Sequence, residues 1–315
     1  MPFHLLTYFL AFVCIWIGSG LAIKSVERLS RTLQISSFTV SFLVLGLFTS
    51  VSELSVGVNA VIENDPEIYV GNLIGASIVL FMLIVPLLAI AGKSIRIPKE
   101  FQGFNLPASL VVVALPVILA MDGAVGKVDS VISLFLFGLL VISVQAKKGL
   151  IDHLKNFNQS KVKVEKELLR IAVGVAIIFV ASKFVVEQTM YFSEFLHVSP
   201  FLMSLLLVAV GTNIPELSLV VRAMFMRNHQ VAFGDYIGSA VFNTFLLGVL
   251  TLIYGKPVLL TNSYAVSLVF LVVGLLVFYF FAKTKNTISR GEGFCLLGLY
   301  GLFLFVEVFL HSGVV

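Results

Sequence analysis

Residues 36–80 recur at 199–243 with a constant offset of 163 residues and no gap, and each copy places one glutamate in the middle of an apolar stretch. Thirteen of the 45 aligned pairs are identical, including Thr49/Thr212, Glu53/Glu216, Leu54/Leu217, Ser55/Ser218, Gly71/Gly234, Ile74/Ile237 and Gly75/Gly238. A duplicated segment must fold into two related halves. An ionised carboxylate is expensive in hydrocarbon and tends to mark an ion or substrate pathway. Two of them at equivalent positions of a repeat point to one site at the repeat interface, as in a transporter.

The medium follows from composition. Hydrophobic residues make up 59% of the chain and charged residues 12%, with a mean hydropathy of +1.06. Soluble domains usually carry about 25% charge, so this is an integral membrane protein. Ten apolar stretches are long enough to span a bilayer: 3–23, 37–61, 68–91, 104–121, 128–144, 168–190, 200–224, 231–254, 263–281 and 293–310. They leave no room for a soluble catalytic domain. The first is too long for a signal-peptide core and lacks a basic segment before it, which makes it the first span. Cys14 and Cys295 fall inside spans, so neither a disulfide framework nor a thiolate metal site is indicated.

The net charge of +4 is informative through its placement. Connections 1–2, 3–4, 5–6, 7–8 and 9–10 hold nearly all the Lys and Arg between spans, whereas the alternate connections hold only Lys127 and Lys256. The positive-inside bias places the basic connections in the cytoplasm and both termini outside, in a multi-pass protein of the cell membrane. Basicity here reads as topology, not as nucleic-acid binding. The expected partners are bilayer lipid and inorganic cations, and no protein partner can be inferred.

The spans divide five and five around a polar, Lys-rich segment. The expected organisation is a first repeat at 1–145, a cytoplasmic linker at 146–166 and a second repeat at 167–315. An odd number of spans per half inverts the second half relative to the first. The fold expected is therefore all-α and membrane-embedded, ten transmembrane helices in two inverted five-helix repeats.

Helical spacing puts Thr49, Ser50 and Glu53 on one face of span 2, with Thr212, Asn213 and Glu216 on the matching face of span 7. Span 8 adds Asp235, Ser239 and Asn243 at i, i+4 and i+8. Carboxylate, amide and hydroxyl oxygens are the ligands of hard cations; with no histidine or cysteine among them, zinc or copper is not expected. Pro215 cannot donate to the carbonyl of Gly211. Freed carbonyls at membrane depth are tolerated where they line a cavity, and in transporters they bind coupling ions. Span 7 is thus expected to break between Gly211 and Glu216.

Gly211-Thr-Asn-Ile-Pro-Glu216, followed by Gly234-Asp-Tyr-Ile-Gly-Ser-Ala-Val-Phe-Asn243, resembles the second α-repeat of the calcium/cation antiporter superfamily, in particular its prokaryotic sodium/calcium exchangers. The resemblance covers nearly the whole chain. It implies a cation antiporter with its site between spans 2, 3, 7 and 8, and with spans 1 and 6 moving against that core. It implies ligands at Gly46, Thr49, Ser50 and Glu53, and at Ala209, Thr212, Asn213, Glu216, Ser239 and Asn243. The cargo is Ca²⁺ and Na⁺, or H⁺, and no cofactor is implied.

The first repeat departs from that pattern. Where the family has Gly-Thr-Ser-x-Pro-Glu, this chain has Phe48-Thr-Ser-Val-Ser-Glu53, so the carbonyl of Phe48 need not be free. Where the family has a serine and then an asparagine or aspartate on span 3, this chain has Ala76 and Leu80; Asn72 lies two turns from Leu80. The family default is Ca²⁺ for Na⁺ exchange. Leu80 and Ala76 motivate a proton-coupled or monovalent exchanger as the alternative. A non-transporting scaffold or sensor is a second alternative. No nucleophile–base pair or cofactor motif suggests an enzyme.

Several polar residues also have simpler readings. Asp235 fits helix N-terminal stabilisation as well as ion binding. Lys183 and Glu187 are spaced for an ion pair, and Arg222 for a side chain reaching the headgroups. Gly18 and Gly20 suit helix packing.

Overall fold

The computed structural model describes residues 2–33, 42, 46–92, 94–97, 103–145, 161–196, 203–214, 216–217, 229–261 and 264–311. Most of the linker (146–160), Pro215 and Arg222 lie outside them. Among the described residues six helices are long and apolar enough to cross a membrane, and helices stand at all ten positions expected for spans. Spans 1 to 6 are Pro2–Leu33, Gly46–Thr49 with Val51–Ile62, Glu67–Ala91, Asn105–Leu119, Lys127–Gln145 and Lys161–Leu196. Span 7 holds a π-helical turn at Ser204–Val208 and a helix at Ala209–Thr212; spans 8 to 10 are His229–Tyr254, Ala265–Lys285 and Arg290–His311. Span 3 carries its own π-helical turn at Leu80–Ile84. Hydrocarbon offers no hydrogen-bond partner, so the chain crosses it as helices that satisfy their own backbone.

The repeat extends beyond its conserved segment. Strand β1 (Ser94–Arg96) pairs antiparallel with β4 (Thr287–Ser289), with Ile95 opposite Ile288. Strand β2 (Ala124–Val125) pairs antiparallel with β3 (Val258–Leu259), with Val125 opposite Val258. The same 163-residue offset carries Ile95 onto Val258 and Val125 onto Ile288, so one ribbon is the image of the other. Each ties a connection of one half to a connection of the other.

Spans 3 and 8 form the centre: 83% and 78% of their apolar windows are buried, against 22% for span 5. They cross the opposite half through equivalent glycines. A Cβ on Gly75 would lie 2.4 Å from the carbonyl oxygen of Leu205 in span 7, and one on Gly238 would lie 2.3 Å from that of Phe42. Only glycine allows this backbone approach.

Spans 1 and 6 pack together along much of their length and lie outside this centre. Gly18 faces the carbonyl of Gly174, where a Cβ would be 2.8 Å away, in keeping with a packing role. Lys183 and Glu187 approach to 3.9 Å on the exposed face of span 6.

The connection between spans 2 and 3 is acidic. Glu67 accepts from the Thr261 backbone N–H at 2.6 Å and from its hydroxyl at 2.7 Å, linking the two halves. Partial burial, with repulsion from Glu67, raises the Asp65 carboxyl above the ordinary aspartate value. The sign of the linkage follows: a folded form that holds its proton more tightly loses stability as pH rises from the ordinary aspartate range through the raised value. Asp65→Asn should therefore raise the thermal midpoint by about 1–3 °C at pH 7 and leave it unchanged near pH 3. Thermal unfolding in detergent at both pH values checks this, and an equal gain at both would refute it.

Candidate ion-binding site

Spans 2 and 7 break at equivalent residues. Ser50, between Gly46–Thr49 and Val51–Ile62, has φ −71° and ψ 2°. Asn213, after Ala209–Thr212, has φ −84° and ψ 9°. Both conformations belong to the sparsely allowed bridge region. The break in span 2 was not expected, since no proline stands there. Ser52 supplies part of the reason, because its hydroxyl lies 2.9 Å from the Thr49 carbonyl and is placed to serve it from the side chain. The break also starts a new helix whose first turn holds Glu53, where backbone N–H groups favour negative charge.

The two halves meet through matched hydrogen bonds. Thr49 Oγ1 donates to Asp235 Oδ1 at 3.3 Å, and Thr212 Oγ1 donates to Asn72 Oδ1 at 3.2 Å. These are one contact seen twice, since Asn72 is the repeat counterpart of Asp235. Ser239 Oγ donates to Glu216 Oε1 at 2.7 Å and lies 3.2 Å from Ser50 Oγ. Ser52 Oγ lies 2.9 Å from Glu53 Oε2 and 2.9 Å from the Thr212 carbonyl. The carbonyl of Gly46 accepts from the Ser50 N–H at 3.1 Å, and that of Ala209 from Asn213 Nδ2 at 2.6 Å. Asn243 Nδ2 donates to Ser77 at 3.4 Å.

Thr49, Ser50, Glu53, Thr212, Glu216, Asp235 and Ser239 are thus drawn together, with Asn213 folded back onto Ala209 and Asn243 turned toward span 3. All eight polar side chains named here, with Asn243, are buried. The helix-terminus alternative for Asp235 does not hold. Span 8 begins at His229 and has no acid in its first turn, so Asp235 lies deeper, buried and bonded by Thr49.

Four buried acceptors in this cluster have no hydrogen-bond partner: Glu53 Oε1, Glu216 Oε2, Asn213 Oδ1 and Asn243 Oδ1. A buried oxygen without a donor costs about 1–3 kcal/mol, more when charged. Buried acceptors left unpartnered are what a cation would satisfy; one donor of the cluster, Asn72 Nδ2, is unpartnered as well. Among the described residues, no three of His, Cys, Asp and Glu are grouped to hold a metal ion. A cation here would meet the carboxylates of Glu53 and Glu216, with the Thr49-bonded carboxylate of Asp235 beside them and neutral oxygens around them, a set that suits a passing hard cation better than a resident transition metal.

Three participants were not anticipated. Asn72 carried its signal in its place opposite Asp235 in the repeat. Ser77 lies on the Asn243-facing side of span 3. Ser52 stands where the second repeat has Pro215. On span 3, Ala76 and Leu80 are fully buried and supply no side-chain oxygen.

The family model for "Sodium/calcium exchanger protein" matches residues 3–144 and 166–309. The chain is 25% identical over 333 aligned residues to the sodium/calcium exchanger MaX1 of Methanosarcina acetivorans, covering 92% of this chain and 94% of that one. It is 26% identical over 293 residues to an uncharacterized membrane protein of Methanocaldococcus jannaschii, covering 93% and 94%. Its structure is similar to that of the sodium-calcium exchanger NCX_Mj, with a TM-score of 0.73 at 25% identity over 97% of this chain and 99% of that one. With both halves matched by one family model and the fold shared over nearly the whole chain, the chain belongs to the sodium/calcium exchanger family of membrane cation antiporters.

Proposed function

We propose that this antiporter exchanges Ca²⁺ for Na⁺ at one site in which Glu53 and Glu216 share the cation. Thr49, Ser50, Thr212, Asn213, Ser239 and Asn243 and the carbonyls of Gly46 and Ala209 are the further ligands, and Asp235 braces Thr49. The observation that carries this reading is the set of four unpartnered buried oxygens, three at the paired helix breaks (Glu53, Asn213 and Glu216) and one on span 8 (Asn243). The sodium/calcium exchangers named among its relatives support the choice of ions. Two carboxylates balance one divalent or two monovalent ions. Leaving both bare in a low dielectric is costly, so the site passes from one occupant to the next and the protein exchanges rather than leaks. The halves at 1–145 and 167–315 hold the site between them, and spans 1 and 6 move against it. The protein lies in the cell membrane with both termini outside, on the charge asymmetry of its connections.

Flux into proteoliposomes tests this. Ca²⁺ uptake driven by an outward Na⁺ gradient is the expected result; no response to that gradient would reject it.

One observation favours a second reading. Leu80 and Ala76 are buried at the span 3 positions where the antiporter pattern has oxygen-bearing side chains, and a lost oxygen matters most for Ca²⁺, which prefers many. A monovalent or proton-coupled exchanger would then show uptake that follows a pH gradient or Na⁺ alone. Leu80→Asn restores an oxygen at that position and should tighten Ca²⁺ binding by about tenfold, the worth of one hydrogen bond or ligand of about 1–1.5 kcal/mol. Calorimetric titration measures it, and unchanged or weaker binding would count against a missing ligand.

A further inference from the structure

We propose that Ser52 is the positioning residue of Glu53: its hydroxyl holds one carboxylate oxygen and keeps the other turned to the cation. The inference rests on the site described above and concerns how this chain repairs its irregular half.

In the second repeat the arrangement is plain. Ser239 on span 8 donates to Glu216 Oε1 at 2.7 Å, and Glu216 Oε2 has no partner. The counterpart of Ser239 on span 3 is Ala76, which has no hydroxyl. Glu53 nevertheless has the same division of labour. Its Oε2 lies 2.9 Å from Ser52 Oγ, and its Oε1 has no partner. The counterpart of Ser52 is Pro215, which could not play this part. Each repeat therefore contains one serine hydroxyl at its glutamate, reached by different routes: from across the helix interface in one half, from the adjacent residue in the other.

Ser52 is fully buried, and its oxygen is 2.9 Å from three acceptors: Glu53 Oε2, the Thr49 carbonyl and the Thr212 carbonyl. A hydroxyl has one proton, so it serves one of them at a time. An ionised carboxylate is the strongest acceptor of the three. With a cation bound and Glu53 charged, the proton points to Glu53 rather than to either carbonyl. Because the Thr212 carbonyl belongs to span 7, the same hydroxyl links the two helix breaks. A purely local role would be the ordinary contact of a serine with the carbonyl three residues back. That role predicts no help from a hydroxyl supplied by span 3.

The test uses the purified full-length protein in detergent, with Ca²⁺ and Na⁺ each as sole probe in equilibrium dialysis, and a thermal midpoint for every variant. Ser52→Ala should weaken binding about tenfold, or about 1.4 kcal/mol. Adding Ala76→Ser to it should restore affinity to within about threefold of the parent, by rebuilding the second-repeat arrangement on span 3. Ser52→Ala within about twofold of the parent overturns the proposal, as does a loss that Ala76→Ser fails to recover. If Ser52→Ala does not fold, Ser52→Cys, a weak donor of similar shape, should show the same loss, and parental affinity overturns the proposal. Glu53→Gln separates the two levels: binding retained there rejects the site itself, whereas binding lost there but intact in Ser52→Ala rejects only the role of Ser52.

Discussion

Glu53→Gln and Glu216→Gln are each expected to lower Na⁺-driven Ca²⁺ flux by at least about 100-fold, in protein that still folds. Both side chains are fully buried, and each has one oxygen held by a serine and one without a partner. Glutamine keeps the shape but removes a unit of charge. A divalent ion would then face one carboxylate in a medium where an uncompensated charge costs about 3–5 kcal/mol, and each 1.4 kcal/mol is tenfold. The amide also gives a donor the choice of facing the cation or the serine, so part of its dipole points the wrong way. Flux in proteoliposomes at matched protein content is the measurement. Parental flux in either variant would end the two-carboxylate reading. A loss in one and not the other would show that the halves bind separate ions.

The two variants need not behave alike for a monovalent cargo. One remaining carboxylate balances one Na⁺, so Na⁺ self-exchange should fall less than Ca²⁺ flux in both. Comparing the two fluxes in the same vesicles therefore tests charge matching rather than folding or insertion.

Much of this arrangement was legible in the residues because the repeat and the medium act over long distances of sequence. Apolar stretches count spans, and the 163-residue offset pairs Thr49 with Thr212 and Glu53 with Glu216. What was not legible depends on contacts. Span 1 continues as helix to Leu33, ten residues past the apolar stretch that announced it, because hydropathy registers lipid and not helix. The four strands are two or three residues long, too short for an alternating pattern. Span 2 breaks at Ser50 without proline, at a position where Ser50 itself packs against Ser239 of the other half and Ser52 is placed to serve the freed carbonyl. Asn72 was judged by its distance from Leu80 along the helix, whereas its partner is Thr212, 140 residues away.

Gly75→Ala and Gly238→Ala should each lower the thermal midpoint by roughly 3–5 °C, the effect of about 2–3 kcal/mol of overpacking in a chain of this size. The added methyl would sit 2.4 Å from the Leu205 carbonyl oxygen in one case and 2.3 Å from that of Phe42 in the other. Backbone cannot swing aside as a side-chain tip can, so spans 3 and 7, or 8 and 2, must part by about 1 Å to reach ordinary contact. Gly298→Ala is the matched control, since nothing lies within 4 Å of its added methyl; exchanging glycine for alanine in an open helix stabilises by about 0.5–1 kcal/mol. A midpoint for Gly75→Ala or Gly238→Ala equal to that of the control would refute the tight crossing. The two damaging variants should then differ in function. Gly238 adjoins Ser239, the hydroxyl on Glu216, so displacing span 8 loosens that bond and weakens ion affinity as well as stability. Gly75 adjoins Ala76, which holds no carboxylate, and Glu53 keeps its serine from its own helix. Affinity should therefore fall more in Gly238→Ala than in Gly75→Ala at equal loss of stability, because the two halves hold their glutamates by different means.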